Sequence, residues 1–129
     1  MSELKDISSQ MATITEAKFG RKHPETLLCL GKQASACTHL GELNEAESLY
    51  MEVVEARIEL LGPEHDSTLT AKANLASVYW YQQRTQDALV LDEEVARGFE
   101  KSLGATHPST LQAKENLAWT YGDRTDNGQ

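Results

Sequence analysis

The 129-residue chain is long enough for one domain with a sizeable core, and its ordinary apolar content and three prolines argue against disorder. A formal net charge of −8 disfavours nucleic acids and anionic membranes as partners, because both bind clustered Lys and Arg. No apolar run approaches the roughly 20 residues that span a bilayer, and the opening MSELKDISSQ lacks the apolar core of a signal peptide. We therefore expect a cytoplasmic protein that binds neither nucleic acid nor membrane.

Apolar positions recur with helical spacing along the chain, and no alternating β-branched pattern indicates strands. Leu69, Leu75, Ala76 and Tyr79, for example, form one helical stripe. The spacing predicts an all-α fold of about six helices joined by short loops. In chain order we place these helices near residues 4–18, 24–40, 44–60, 66–82, 86–101 and 108–121.

A period of 42 residues relates successive segments of the chain. LGPEHDSTL at 61–69 recurs as LGATHPSTL at 103–111, and more loosely as FGRKHPETL at 19–27. TLTAKANLASVYW at 68–80 likewise matches TLQAKENLAWTYG at 110–122. A fixed period of this size is typical of a solenoid, in which each unit buries its apolar face on its neighbours. We predict a single domain over 1–129, with a half repeat at 4–18, repeats at 19–60 and 61–102, a half repeat at 103–122, and a tail at 123–129.

The repeated loop has a structural interpretation in each copy. Its glycines recur as Gly20, Gly62 and Gly104, and its histidines as His23, His65 and His107. The glycines fall where a helix must end, because Gly tolerates positive φ. The histidines then fall at the N-cap region of the next helix. Zinc ligands must converge to about 2 Å from one ion, which residues spread along a solenoid cannot do. We therefore assign the histidines to helix geometry and expect no metal.

The two cysteines, Cys29 and Cys37, lie eight residues apart in a helical pattern. This separation is too large for a disulfide within one helix. We expect two reduced thiols in the core, and a reactive thiol is the alternative.

These motifs resemble the 42-residue tetratricopeptide repeat of kinesin light chains, which also occurs in the sensor arrays of fungal and bacterial nucleotide-binding receptor proteins. The matching marks are the NLA triplets at 74–76 and 116–118, the tyrosines Tyr79 and Tyr121 that follow them, and the LGxxHPxTL loop. The resemblance covers nearly the whole chain and implies a right-handed α-solenoid of antiparallel helix pairs. The first copy departs from the pattern, with Lys32-Gln33 in place of Asn-Leu and Cys37 in place of Tyr.

The resemblance implies a non-enzymatic protein–protein interaction module. In this family the first helix of each pair lines a concave groove that holds a peptide or a partner helix, and the asparagine of the NLA triplet commonly contacts the ligand's backbone. That role falls on Asn74 and Asn116, with Lys32 in the equivalent place of the first copy. An exposed amide offers a peptide both a donor and an acceptor. The alternative is that these asparagines only bond neighbouring repeats to each other.

Helical spacing of three to four residues extends this groove face around the asparagines. The candidate groove residues are Lys32, Ser35, His39, Thr70, Asn74, Ser77, Trp80, Tyr81, Gln112, Asn116 and Trp119. Aromatic side chains are favoured binding anchors, so Trp80 and Trp119 are candidate ligand contacts, although each could instead pack beneath an adjoining helix.

The last predicted helix lacks the second helix that would complete its repeat. Leu117, Ala118 and Tyr121 form an apolar stripe that such a helix would cover, and an uncovered apolar face favours association. The alternative function is therefore self-association into a homo-oligomer through this helix, or else the chain is part of a longer array. A third alternative is a small-molecule site in the groove, with Trp80 and His39 in its wall.

Enzymatic motifs are missing from the sequence. It contains no GxSxG, HExxH, phosphate-cradling glycine loop or dinucleotide fingerprint. The acidic run Asp92, Glu93 and Glu94 lies on a helix whose consecutive residues point in different directions, so we expect these carboxylates to be solvated. The alternative for Glu94 is that it turns inward, because Glu52 recurs at its position. We therefore predict neither catalytic residues nor a cofactor.

Overall fold

The computed structural model describes residues 2–127, with side chains at position 3 and at positions 5–122. Within this range the chain forms six helices and no strand, so the predicted all-α fold class is confirmed. The helices are α1 (Ser2–Phe19), α2 (Pro24–His39), α3 (Leu43–Leu61), α4 (Asp66–Tyr81), α5 (Thr85–Leu103) and α6 (Pro108–Asn127). No described helix is both long and apolar enough to cross a membrane.

The bounds of α1 to α5 lie within two residues of the predicted bounds. Helix α6 differs, because it runs to Asn127 instead of ending near 121. Gly122 follows the predicted end of the helix, but it is absent from the glycines with positive φ and the helix continues through it. No proline follows to interrupt the helix. The predicted tail is therefore helical to residue 127, and residues 128–129 lie outside the described range.

The repeated loop uses the same backbone turn in each copy. Gly20, Gly62 and Gly104 take φ values of +94°, +96° and +95°, a region that favours glycine. Each glycine N–H also donates to the carbonyl four residues earlier, at 2.8, 2.9 and 3.0 Å respectively. The turn therefore ends one helix while keeping its last backbone bond, as the glycine pattern predicted.

The recurring histidine caps the helix that follows the turn. The Nδ1 atoms of His23, His65 and His107 accept from the backbone N–H two residues later, at 3.1, 3.0 and 3.1 Å. A helix leaves its first N–H groups without intrahelical acceptors, and a side-chain acceptor at the N-cap satisfies one of them. The assignment of these histidines to helix geometry is confirmed.

The threonine of the same loop has a role that sequence analysis did not assign. The buried hydroxyls of Thr26 and Thr68 donate to the carbonyls of Gly20 and Gly62, at 2.7 and 2.9 Å. Thr110 is equally buried, but its hydroxyl has no partner among the described residues. In two copies the threonine therefore bonds the new helix to the glycine that ended the old one.

The shorter turns between paired helices also share a left-handed residue. Gly41 takes φ +81° between α2 and α3, and Gln83 takes φ +65° between α4 and α5. The N–H of Gln83 donates to Trp80 O at 3.0 Å, and the N–H of Arg84 donates to Tyr79 O at 2.8 Å. A side chain in this region costs about 1–2 kcal/mol, so the turn at Gln83 must be stabilised by its surroundings.

The contacts of the chain define two compact units, divided within α3 after Ala56. In the first unit, buried side chains of α2 and α3 include Leu30, Ala34, Tyr50 and Val53. Both cysteines are buried and free, as predicted.

The second unit, from Arg57 on, packs α4, α5 and α6 around one apolar cluster. Its buried members are Leu69, Val95, Ala96, Phe99 and Ala113, with Ala73, Leu103 and Leu117 packed against them. A Cβ atom on Gly98 would lie 2.7 Å from Leu69 Cδ1, so the glycine lets the α5 backbone approach α4 closely. This packing sets the positions of α4 and α6, which carry most of the predicted groove residues.

We predict that His65→Ala lowers the free energy of unfolding by about 1 kcal/mol, because Ser67 N–H loses its acceptor. Urea denaturation of the purified chain measures the change. The matched control is His65→Asn, which puts a favoured N-cap acceptor at the same place and should recover most of the loss. Equal stability of His65→Ala and the wild type would contradict the capping role.

Candidate partner-binding groove

One face of α4 carries four of the predicted groove residues. Thr70, Asn74, Ser77 and Tyr81 follow one another at intervals of three or four residues, and all four are exposed. Thr70 and Ser77 donate their hydroxyl protons to backbone carbonyls four residues earlier, at 2.9 and 3.2 Å. Their hydroxyls are thus satisfied within α4, while their outer surfaces remain open to a ligand.

The face of α6 in the same unit repeats this arrangement. Gln112, Asn116 and Trp119 are exposed on it, and among the described large apolar side chains Trp119 is the most exposed, at 70 %. Gln112 Nε2 donates to Asn116 Oδ1 at 3.1 Å, so this asparagine bonds within its own helix. The side-chain amide of Asn74 makes no hydrogen bond to a described residue. The described residues therefore show no bond from either asparagine to another helix.

Five of the predicted residues meet around one cavity of about 180 Å³. They are Ser77, Trp80, Tyr81, Asn116 and Trp119, and the remaining lining residues are Ala76, Asp92 and Thr120. Trp80 and Tyr81 pack edge to face, with ring centroids 5.3 Å apart. Thr70, Asn74 and Gln112 lie on the same faces but outside this lining. The cavity thus brings the predicted aromatic residues together with Ser77 and Asn116, while Asn74 and Gln112 lie on the open surface.

The three candidates on α2 belong to the first unit. Lys32 is exposed and forms no ion pair with a described residue. Ser35 is half-buried and bonds the side chain of the buried Tyr50, whose pKa is raised by burial and partly lowered by that bond. His39 Nδ1 lies 2.8 Å from Ser35 O. Of these three residues, Lys32 is the one whose side-chain polar group has no partner among the described residues.

Asp92 contradicts the expectation that the acidic run of α5 is solvated. Its side chain is only 6 % exposed, and Oδ2 accepts a hydrogen bond from Thr120 Oγ1 at 2.7 Å. Burial raises the pKa of Asp92 above its ordinary value, and the bond from Thr120 opposes part of this rise. The 42-residue period aligns Asp92 with Tyr50, which is also buried.

The predicted self-association stripe on α6 is only partly uncovered. Ala118 and Tyr121 are exposed, and the Tyr121 hydroxyl donates to Glu93 Oε1 at 2.8 Å. Leu117 instead packs against the core cluster, so it is not part of an open surface. Leu111, which the sequence analysis omitted, is 52 % exposed, whereas its counterpart Leu69 is 1 % exposed. The difference arises because α5 covers Leu69 and no described helix covers Leu111.

A cluster in the first unit has donor atoms suited to a metal ion. Cys37 Sγ and carboxylate oxygens of Glu42 and Glu45 lie within 4.8 Å of one another. However, Lys5 Nζ contacts these carboxylates at 2.6 and 3.0 Å. Burial raises the pKa of Cys37 to about 11, which keeps the thiol protonated and makes it a poor ligand. The glutamates are therefore better explained as partners of Lys5.

A family model described as tetratricopeptide repeat matches residues 30–101 and 68–128. No curated protein matches the chain. Among solved structures, the chain is similar to nearly identical TPR-like repeats assigned to a kinesin light chain of Podosopora anserina, at 30% identity and a TM-score of 0.87. That match covers 93% of this chain and 57% of the other.

A second likeness is to BtubC (BKLC) from P. vanneervenii, with a TM-score of 0.85 and 18% identity. It covers 95% of this chain and 49% of the other, and at this identity it shows the fold alone. The chain thus spans about half the length of these structures. Together the matches confirm the predicted resemblance to kinesin-light-chain-like repeats and the helical-solenoid fold class.

We predict that Asp92→Asn is more stable than the wild type at neutral pH. An aspartate with a raised pKa favours folding most when it is protonated, and this advantage is lost as pH rises through its folded pKa. Asparagine keeps an acceptor for Thr120 and carries no charge at any pH. The difference in free energy of unfolding between Asp92→Asn and the wild type should therefore be largest near neutral pH. It should disappear below about pH 4, the usual range of aspartate pKa values.

Chemical denaturation at a series of pH values tests this dependence. Asp6→Asn, at an exposed aspartate of α1, is the matched control for removing one negative charge. A variant at position 92 that is less stable than the wild type at neutral pH would contradict the burial cost assigned to this carboxylate.

Proposed function

The chain belongs to the tetratricopeptide repeat family, and on that premise we propose that it is a non-enzymatic module for protein–protein interaction. Tetratricopeptide repeats generally mediate such interactions. In the proposed function, a peptide or partner helix lies along the exposed faces of α4 and α6. These helices are the first helices of their repeats. Their exposed candidate residues occupy equivalent repeat positions, since Asn74 and Asn116, for example, are 42 residues apart.

The observation that carries this proposal is the exposure and hydrogen bonding of the two repeated asparagines, Asn74 and Asn116. Asn74 is exposed and its amide has no hydrogen-bond partner among the described residues, while Asn116 is exposed at the equivalent position of the next repeat. An amide of this kind can donate to one peptide group and accept from another. The competing structural role, a bond between neighbouring repeats, has no support in the described contacts of either residue.

The size of the cavity beside the asparagines favours a protein ligand over a metabolite. Its volume of about 180 Å³ is below the range of about 300–1,000 Å³ that is typical of small-molecule sites. Its remaining surroundings are open faces of helices, which suit an extended ligand. A peptide that places one side chain in the cavity and its backbone on the asparagines uses both features.

We predict that the double variant Asn74→Ala/Asn116→Ala loses its partner while it keeps its fold. Affinity capture from lysate of the source organism, with wild type and variant as baits, measures retention of each captured protein by quantitative mass spectrometry. Loss of a hydrogen-bonded pair from a ligand costs about 0.5–1.5 kcal/mol per bond, so the double change should lower retention roughly tenfold.

The matched control is Gln10→Ala/Gln86→Ala, which removes two exposed helical amides outside the proposed groove. All baits are first compared by circular dichroism and by mass in solution. Identical captures with wild type and the asparagine variant, or equal losses in the two double variants, would contradict the groove assignment.

Self-association through α6 is a second candidate, and the exposure of Leu111 favours it. Leu111 and Ala118 are seven residues apart on one face of α6 and are both exposed. The equivalent face of α4, which contains Leu69 and Ala76, is buried. A second copy of the chain could cover this face, since an isologous contact joins identical patches.

We predict for this candidate that wild type dimerises with rising concentration and that Leu111→Glu remains monomeric. Sedimentation velocity over a micromolar concentration series measures the mass in solution. Val90→Glu is the matched control, because Val90 is also 52 % exposed but lies on α5. A wild type that stays monomeric throughout the series, or equal behaviour of both variants, would exclude self-association through this face.

A further inference from the structure

The cavity in the second unit combines aromatic walls with a buried carboxylate. Trp80 and Tyr81 contribute from α4, Trp119 from α6, and Asp92 from α5. Asp92 is the only ionisable carboxylate of this lining. A carboxylate enclosed by aromatic rings is suited to a cation, because the charge and the negative ring faces both attract it.

Two polar groups of the cavity have hydrogen-bonding capacity that no described residue uses. Trp80 Nε1 is a buried donor without an acceptor among the described residues. Asp92 uses Oδ2 for the bond from Thr120, and its Oδ1 accepts from no described residue. The indole N–H is enclosed by protein, whereas an occupant that supplies a donor to Asp92 would be stabilised by that bond.

The first repeat shows that this cavity is not a general feature of the repeat. Position 50, which aligns with Asp92, holds a buried tyrosine whose side chain bonds Ser35. Ser35 in turn aligns with Ser77 of the cavity, and Thr38 aligns with Trp80. The second repeat therefore has the short carboxylate of Asp92 where the first repeat has the large ring of Tyr50. It likewise has the indole of Trp80 where the first repeat has the small hydroxyl of Thr38. Both replacements are local to the site that the cavity occupies.

We propose that this cavity binds the guanidinium of an arginine side chain from an extended basic peptide. The proposal rests on the proposed function and names the chemistry of its partner. The planar guanidinium stacks on aromatic faces and presents a fork of N–H donors that matches a carboxylate, which the rounder ammonium of lysine does less well. The net charge of −8 adds long-range attraction for such a peptide.

The test uses N-acetyl-arginine N-methylamide as probe and the indole N–H signals of the chain as readout. The sequence contains two tryptophans, so a ¹H–¹⁵N spectrum shows two indole signals, which Trp119→Phe assigns. The arginine probe should shift the Trp80 signal to saturation. The citrulline analogue, which has the same shape without the charge, should bind at least about tenfold more weakly, as expected when a buried charge loses its partner. The lysine analogue should also bind more weakly than arginine.

Two variants distinguish binding in the cavity from nonspecific attraction to the negative charge of the chain. Asp92→Asn should lose at least about tenfold in affinity for the arginine probe. Glu115→Gln, which removes one charge from an exposed position of α6 outside the lining, should bind as the wild type does. Equal binding of arginine and citrulline, tighter binding of lysine, unchanged binding by Asp92→Asn, or no shift of the Trp80 signal at millimolar probe would each overturn the proposal.

The arginine-binding experiment and the groove experiment can have different outcomes, so each proposal can be rejected on its own. If the arginine probe does not bind but the asparagine variant still loses a captured partner, the groove function stands and the arginine assignment is wrong. If the probe binds as expected but capture does not depend on the asparagines, the cavity is a cation site and the groove function is wrong.

Discussion

The turn that begins each repeat is the constraint on which the rest of the structure depends. A left-handed glycine ends one helix, and the side chain of a histidine three residues later accepts from one of the first N–H groups of the next. In the second copy, the buried hydroxyl of Thr68 bonds the carbonyl of Gly62 and so ties the two helices together. Because this turn fixes the first residue of α4, it also fixes which side of α4 carries Asn74 and Ser77. The groove face is thus a consequence of the loop that precedes it.

Much of this organisation could be predicted, because it depends on local sequence patterns that recur in successive repeats. Helical spacing placed α1 to α5, and the repeated glycine placed the turns between repeats. The same spacing identified Thr70, Asn74, Ser77 and Tyr81 as one exposed face. Where the residue's role depends only on its own helix and the adjacent turn, sequence was sufficient.

The features that were missed depend on which other helix lies opposite. Asp92 is one of three consecutive acids, and only packing against α6 selects it for burial while its neighbours stay more open. Leu117 and Leu111 both fit an apolar pattern, but α5 covers the first and leaves the second exposed. The extension of α6 was missed because Gly122 permits a stop without requiring one. Tertiary contacts made these choices, and a single sequence without its packing does not specify them.

The two turns that join paired helices differ in how they are encoded. Gly41 reaches its left-handed conformation without a side-chain penalty, whereas Gln83 does so against its own preference. In the unfolded chain, therefore, the α2–α3 turn is sampled often and the α4–α5 turn seldom. This difference favours local hairpin formation around Gly41 over hairpin formation around Gln83. Trp80 and Tyr81, which form aromatic walls of the cavity, lie at the end of α4 next to the less favoured of the two turns.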